Sequence, residues 1–424
     1  MVLLAVSIVG LILIGMPLGF AIILACFFVV WIDGGINPAI LAQRLYSGMD
    51  SFTLLAIPFF LLAGSLMTAT GMTSRLVAFA NVLVGRVPGG LALSNVSAST
   101  FFSGISGSAV ADTSVFGRIF IPEMVREGYG RAFSVAVTAA ASVAAPIIPP
   151  SIGFIIYGIL TDQSIVRLFM AGLIPGILYS LVCLGLVVII SRRRGYPVHA
   201  PVSMAEFTRI TVAALPALFM PVLILGGIFG GVFTITECAA IAVAYALLVG
   251  TAVYRELTWR SLIASLRETA HLTGVVMIIV GAAQIFAWQL AYAQIPQAVV
   301  AWMDGAVTGP VMFLFVLAAI LLVVGTFMEA NAAMVMLVPI LHPAGVALGV
   351  DPVQMGVLVV VTLCLGLITP PIGLCLNVAC KIGRLPLEHS LRDIAPFVVA
   401  GLVLVVVLAL VPSIALWLPT LVMD

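Results

Sequence analysis

Two proline pairs limit what this chain can fold into. Pro149-Pro150 and Pro370-Pro371 stand inside long apolar stretches, in the runs Pro146-Ile147-Ile148-Pro149-Pro150-Ser151-Ile152-Gly153 and Ile368-Thr369-Pro370-Pro371-Ile372-Gly373. Proline lacks the N–H that a helix needs and pushes the preceding residue out of the α region, so neither stretch runs as one helix. With 63% hydrophobic and 8% charged residues among 424, the chain is too apolar for a soluble core. Its runs are too long for barrel strands, which leaves an all-α polytopic membrane protein. In lipid, freed carbonyls must find a partner. Two unwound breaks at membrane depth therefore suggest carbonyls kept for an ion, and matching interruptions in two halves point to a secondary transporter's site.

The breaks also fix a register. An offset of 221 residues carries Pro149 to Pro370, Gly104 to Gly325 and Ser108 to Glu329. We read a first repeat over 1–194, a linker with an unpaired span over 195–231, and a second repeat over 232–424. Each repeat holds a re-entrant hairpin followed by a broken helix: about 91–120 and 133–160, then about 310–341 and 353–380. The first hairpin has Ser103-Gly104-Ile105-Ser106-Gly107-Ser108 at its middle, with the tip near 104–107. Small polar residues at that density do not face lipid, but a hairpin buried in protein accommodates them. The second has Gly325-Thr326-Phe327-Met328-Glu329-Ala330-Asn331 at its middle. Other spans are expected over 2–32, 51–70 (kinked at Pro58), 165–190, 210–229, 234–254, 273–292 and 394–418, giving nine full spans. Residues 38–49 and 259–267 read as short interfacial helices. Asp162, Glu237 and Asp304 fall at turns between spans.

Arginine gives the orientation. Arg86, Arg118, Arg126 and Arg131 flank the first hairpin, whereas no Lys or Arg lies between Arg267 and Lys381. By the positive-inside rule the first hairpin enters from the cytoplasm and the second from outside, an inverted repeat. Segment 2–32 is too long for a signal peptide and should remain as a span.

Four elements, the two hairpin tips and the two breaks, then converge at the midplane. Hydroxyls and unwound carbonyls are hard donors that suit Na⁺. One ion is expected at Ser103, Ser106 and Ser108 with carbonyls near Pro149 and Pro150. The second is expected at Gly325, Thr326 and Met328 with Gly366, Thr369 and Pro371. The competing reading is that these small residues only permit tight helix packing. Ser108, Asp112, Glu329, Asn331 and Asn377 are candidate substrate contacts. Asp112 and Glu329 are ionisable at apparent membrane depth and would balance a cation, or, for Glu329, carry a proton. All four acidic and amide side chains have the alternative reading of internal hydrogen-bond partners. An anionic substrate would be held by half-helix N-termini.

Other classes fit poorly. A net charge of +1 makes no case for nucleic acid, and no phosphate-binding motif is present. The six cysteines lie in apolar segments and read as small core residues. An aspartyl intramembrane enzyme needs two aspartates at depth and only Asp112 qualifies, so no enzyme is expected.

The Gly-Ile-Ser-Gly-Ser-Ala-Val-Ala-Asp-Thr run at 104–113 resembles the first hairpin of the large membrane subunit of tripartite ATP-independent periplasmic (TRAP) transporters. Ile-Thr-Pro-Pro-Ile-Gly-Leu at 368–374 and Pro-Pro-Ser-Ile at 149–152 resemble that family's two breaks. The resemblance covers essentially the whole chain. It implies a Na⁺-coupled importer of organic acids (a C4-dicarboxylate, sugar acid or similar carboxylate) in a bacterial or archaeal inner membrane, with an elevator-type fold and movement. It also implies two partners, a small four-span membrane subunit and a soluble periplasmic substrate-binding protein. The small subunit is not expected as a fusion. The alternative is a Na⁺/anion symporter of related architecture that needs no binding protein.

Overall fold

The structure, a computed structural model, describes residues 2–35, 37–198, 203–303 and 309–423. Asp304 and part of the linker, 199–202, lie outside the described residues. Helices dominate, and no strand occurs among the described residues.

The first expected span is two helices. α1 (Val2–Leu13) stops before Gly15 (φ +89°), and Pro17 precedes α2 (Leu18–Asp33), against which α1 packs. Apolar continuity suggested one span, but Gly15 supplies a left-handed turn and Pro17 removes a backbone donor. α3 (Ala39–Met49) begins where the Asn37 side chain accepts from the Ala39 N–H at 3.0 Å. α4 (Ala56–Ala69) follows a 3₁₀ turn over Phe52–Leu55, and Pro58 lies in its first turn, where it is tolerated without a kink. Gly71 turns the chain into α5 (Met72–Val84), a helix the sequence reading left out.

The first hairpin is α6 (Gly90–Ser106) and α7 (Ala109–Arg126), joined at Gly107-Ser108. The first broken helix is α8 (Arg131–Ser142) and α9 (Ile152–Thr161). Three long helices follow: α10 (Ile165–Arg194), α11 (Met204–Phe229) and α12 (Ile235–Leu248), the last extended by a π turn over Val249–Val253. The expected interfacial helix 259–267 and span 273–292 are one continuous α13 (Trp259–Tyr292). No Gly or Pro stands between Arg267 and Thr273 to stop it. At about 1.5 Å per residue it is roughly 51 Å long, more than a hydrocarbon core, so its polar first turns reach beyond one. α14 (Ile295–Met303) leads to the second hairpin, α15 (Pro310–Phe327) and α16 (Ala330–Ala347). The second broken helix is α17 (Pro352–Gly366) and α18 (Leu374–Gly383). The last expected span also divides, at Pro412, into α19 (Leu387–Leu410) and α20 (Ser413–Met423). Among the described residues, eight helical segments are long and apolar enough to cross a membrane.

The helices pack in two groups. α2, α3 and α4 lie on α13, and α12 lies on α4. The hairpins and broken helices form the other group, in which each broken helix reaches across to the opposite hairpin: α9 packs on α16, and α18 on α7 and α8. α10 and α19 belong here as well. A Cβ on Gly172 would stand 2.7 Å from the Ile147 carbonyl oxygen, one on Gly176 2.5 Å from the Ile148 side chain, and one on Gly401 2.3 Å from Leu365. Helix backbones approach this closely only where a glycine faces the partner.

Candidate functional site

The first hairpin tip is made by two neighbouring caps. Gly107 takes a left-handed φ of +59° to end α6, and Ser108 starts α7 by accepting from the Ala111 N–H at 3.4 Å. The turn brings Ser106 back over α7, where its hydroxyl donates to Asp112 Oδ1. Asp112 is 0% exposed, and its Oδ2 has no hydrogen-bond partner among the described residues. The tip rests on the first break: a Cβ on Gly104 would stand 3.2 Å from the Pro149 carbonyl oxygen, and one on Gly107 3.2 Å from that of Pro150. Both Pro-Pro peptide bonds are cis. Ser151 restarts the helix by accepting from the Phe154 N–H at 3.2 Å.

The second tip meets the second break with backbone against backbone. A Cβ on Gly366 would stand 2.6 Å from Gly325 Cα, and the Thr326 carbonyl accepts from the Gly373 N–H at 3.1 Å. Met328 ends α15, and Glu329 caps α16, accepting from the Ala332 N–H at 3.1 Å and Asn331 Nδ2 at 2.9 Å. The two breaks differ in exposure. Residues 143–152 are all buried, whereas Pro371 and Ile372 are exposed.

Three of the expected ion-site hydroxyls donate to their own helices: Ser103 to Ser99 O (2.6 Å), Thr326 to Val323 O (2.7 Å) and Thr369 to Leu365 O (2.8 Å). A hydroxyl that donates keeps its lone pairs, so these oxygens can still accept from a hard cation. Hard oxygen donors at both tips, with a buried carboxyl oxygen at the first that has no partner among the described residues, fit Na⁺ chemically.

Of the expected substrate contacts, Ser108, Glu329 and Asn331 line one small cavity with Pro146 and Cys364; Asp112 and Asn377 do not. About 20 Å³ of it is open to a water-sized sphere, room for a single water and far too little for an organic acid. A second cavity, about 260 Å³, lies between α4, the first hairpin and α13, with Ser106 on its wall.

A family profile described as "Tripartite ATP-independent periplasmic transporter, DctM component" matches residues 5–414. The chain belongs to this family. It is 39% identical over 414 residues to the sialic acid TRAP transporter large permease protein SiaM of Vibrio cholerae, covering 97% of this chain and 96% of that one. It is also 39% identical over 379 residues to the C4-dicarboxylate TRAP transporter large permease protein DctM of Pseudomonas aeruginosa, covering 89% of each. A solved structure of the YdaH transporter of Alcanivorax borkumensis, described as having an unusual topology, shares the fold with a TM-score of 0.62. It is 14% identical and covers 90% of this chain and 87% of that one. The permease is thus a multi-pass inner-membrane transporter subunit and not an enzyme.

Sequence reasoning missed several polar groups that this permease places around the first hairpin. Thr113 Oγ1 lies 2.6 Å from Ser142 Oγ, and Asn95 Nδ2 donates to Thr138 Oγ1 at 2.7 Å; both bonds tie the hairpin to α8. The polar wall of the larger cavity was also missed. Its signal was present on α13: Ser261, Ser265, Glu268 and Thr269 recur at helical spacing along one face.

Proposed function

We propose that this chain imports an organic acid with Na⁺, receiving it from a soluble periplasmic binding protein and working beside a small membrane subunit. The observation that carries the reading is the contact of each hairpin tip with its own break: Gly104 and Gly107 against the Pro149 and Pro150 carbonyls, and Gly325 and Thr326 against Gly366 and Gly373. Such a contact serves no purpose in a passive scaffold, because breaking a helix at membrane depth costs several kcal/mol for each backbone group left unpaired. It suits a coupling ion, whose charge would draw the released carbonyls together and hold the tip on the break. Ser103 and Ser106 would offer oxygens at the first contact, and Thr326 and Thr369 at the second.

We further assign the movement to an elevator whose travelling body holds both hairpins, both broken helices and α10 and α19. Read from sequence alone, the first and last spans of each repeat, together with the small subunit, form the static body. The glycine-tight seats of Ile147, Ile148 and Leu365 on α10 and α19 support the opposite assignment. The static body is then α2, α3, α4, α12 and α13. The names of the relatives cited, one for sialic acid and one for C4-dicarboxylate, support an organic acid as cargo and leave its class open.

The test is uptake into proteoliposomes holding this chain and its small subunit, with periplasmic protein added outside. Uptake should need Na⁺ and the binding protein and should proceed without ATP. Full uptake with Na⁺ replaced by choline would refute the coupling, and full uptake without binding protein would refute the tripartite reading.

A further inference from the structure

The cavity of about 260 Å³ has one polar wall of unusual composition. Ser65 on α4 donates to Glu268 Oε2 on α13 at 2.9 Å, and no described residue bonds the other Glu268 oxygen. Ser265 and Thr269 stand beside Glu268 on the same face of α13. Thr269 is 7% exposed, and its hydroxyl lies beneath the wall surface with no hydrogen-bond partner among the described residues. Across the cavity stands Ser106, the hydroxyl of the first hairpin tip that also holds Asp112. Among the described residues, no Lys, Arg or His lines the cavity.

From this wall we infer the class of cargo: a polyhydroxylated monocarboxylate, a sugar acid, bound with its hydroxyl end at Glu268. The inference rests on the transport reading above. An ionised carboxylate only accepts hydrogen bonds, so Glu268 selects a ligand end that carries donors. A second carboxylate on the ligand would meet Glu268 as a like charge with no cation on the wall to offset it. Ser65, whose proton goes to Glu268, offers a lone pair, and Ser265 both donates and accepts, which matches the hydroxyls of a sugar chain. The ligand's own carboxylate then points away from Glu268, toward the first hairpin tip, where the proposed coupling ion would offset its charge; the Ser106 proton is already given to Asp112. Glu268 is the specificity-determining residue, because a site built to bond hydroxyls rejects analogues that lack them.

The probe is a cysteine on the rim of the cavity. Thr68 lines it and is exposed, and the six native cysteines are buried, so Thr68→Cys reports on the cavity with little background. The full chain with its small subunit is labelled with a maleimide in Na⁺ buffer. D-gluconate should slow modification about tenfold, and succinate should leave it within about twofold of the rate without ligand. Adding Glu268→Gln should raise the half-protecting concentration of D-gluconate about tenfold, the loss of one charge-assisted hydrogen bond. If that variant fails to reach the membrane, Ser65→Ala should shift it the same way by about threefold. Equal protection by both acids, protection by neither, or D-gluconate protection untouched by the available variant would overturn the inference. Na⁺-driven uptake of succinate with its binding protein would overturn it too and leave the transport reading standing. Protection as expected, with no Na⁺-driven uptake of any acid, would leave the cavity standing and refute the transport reading.

Discussion

Gly366→Ala is the sharpest test of the second tip-break contact. The added Cβ would stand 2.6 Å from both the Cα and the carbonyl carbon of Gly325. Ordinary van der Waals contact begins near 3.4 Å, so the hairpin backbone must retreat by roughly 0.8 Å, and no flexible side chain is there to absorb it. Overpacking of this kind costs about 1–3 kcal/mol, and a backbone-on-backbone clash belongs at the upper end. Retreat also draws the Thr326 carbonyl from the Gly373 N–H, now 3.1 Å away, and separates the oxygens expected to share an ion. If about 1.4 kcal/mol of the cost falls on ion binding, the Na⁺ needed for half-maximal uptake rises about tenfold. Gly153→Ala is the matched control. It lies in the first turn of α9, and its Cβ would meet no heavy atom nearer than 3.5 Å, so it should be neutral or stabilising by up to about 1 kcal/mol. Both variants are compared by thermal unfolding of the purified protein and by uptake as a function of Na⁺. Wild-type stability and Na⁺ dependence in Gly366→Ala would mean that the tip is not seated on the break as described.

Two further outcomes bear on the first hairpin and on the topology. Ser106→Ala removes the hydrogen bond given to the buried Asp112 carboxyl; it should lower stability by about 1–3 kcal/mol and raise the Na⁺ requirement, and uptake with unchanged Na⁺ dependence would place Ser106 among packing residues. Cysteines at Gly128 and Gly349, glycines with positive φ and no neighbour within 4 Å, should be labelled from the cytoplasm and the periplasm respectively, and labelling of both from one side would refute the inverted repeat.

The sequence carries some of this structure openly and conceals the rest for physical reasons. The hairpins and broken helices were legible because Pro-Pro pairs and Gly-Ser-rich tips have few conformational options. The break between α1 and α2 was legible in principle at Gly15 and Pro17, but the apolar run around them outweighed it. α5 was missed because Arg75 and Asn81 interrupt its apolar pattern; in the fold Arg75 bonds Glu256 at 2.7 Å and lies 3.8 Å above the Tyr254 ring. The division of α13 came from composition, since its first turns are polar and its later ones apolar, yet composition alone does not end a helix. The allegiance of α10 and α19 was out of reach. Gly172, Gly176 and Gly401 look like any membrane-helix glycines until their partners are known. The Ser65–Glu268 bond joins residues 203 positions apart, and no local pattern reports such a pair.

On the elevator proposed above, those glycines also mark where the permease would slide. Within the static group, a Cβ on Gly48 would stand 2.4 Å from Gln284 and one on Gly281 2.8 Å from Leu45. Within the travelling group, Gly172, Gly176, Gly366 and Gly401 are interlocked as tightly. Among the described glycines none joins the two groups at less than 3.0 Å. Interlocked surfaces resist sliding, because each step forces close-packed atoms through one another. The surface without such locks therefore offers the least resistance, and the larger cavity lies along it, with α4 and α13 on one side and the first hairpin on the other. A bridge across that cavity should stop transport, whereas one inside the static group should not. Thr68→Cys paired with Val115→Cys, both on the cavity wall, would be joined by a reducible bifunctional thiol reagent and uptake measured before and after reduction. Met49→Cys paired with Gln284→Cys, on neighbouring turns of α3 and α13, is the control. The bridge across the cavity should abolish uptake and reduction should restore it, with the control active throughout. Transport that persists with the cavity bridge verified would show that the hairpin does not move against α4, and the elevator assignment would fall with it.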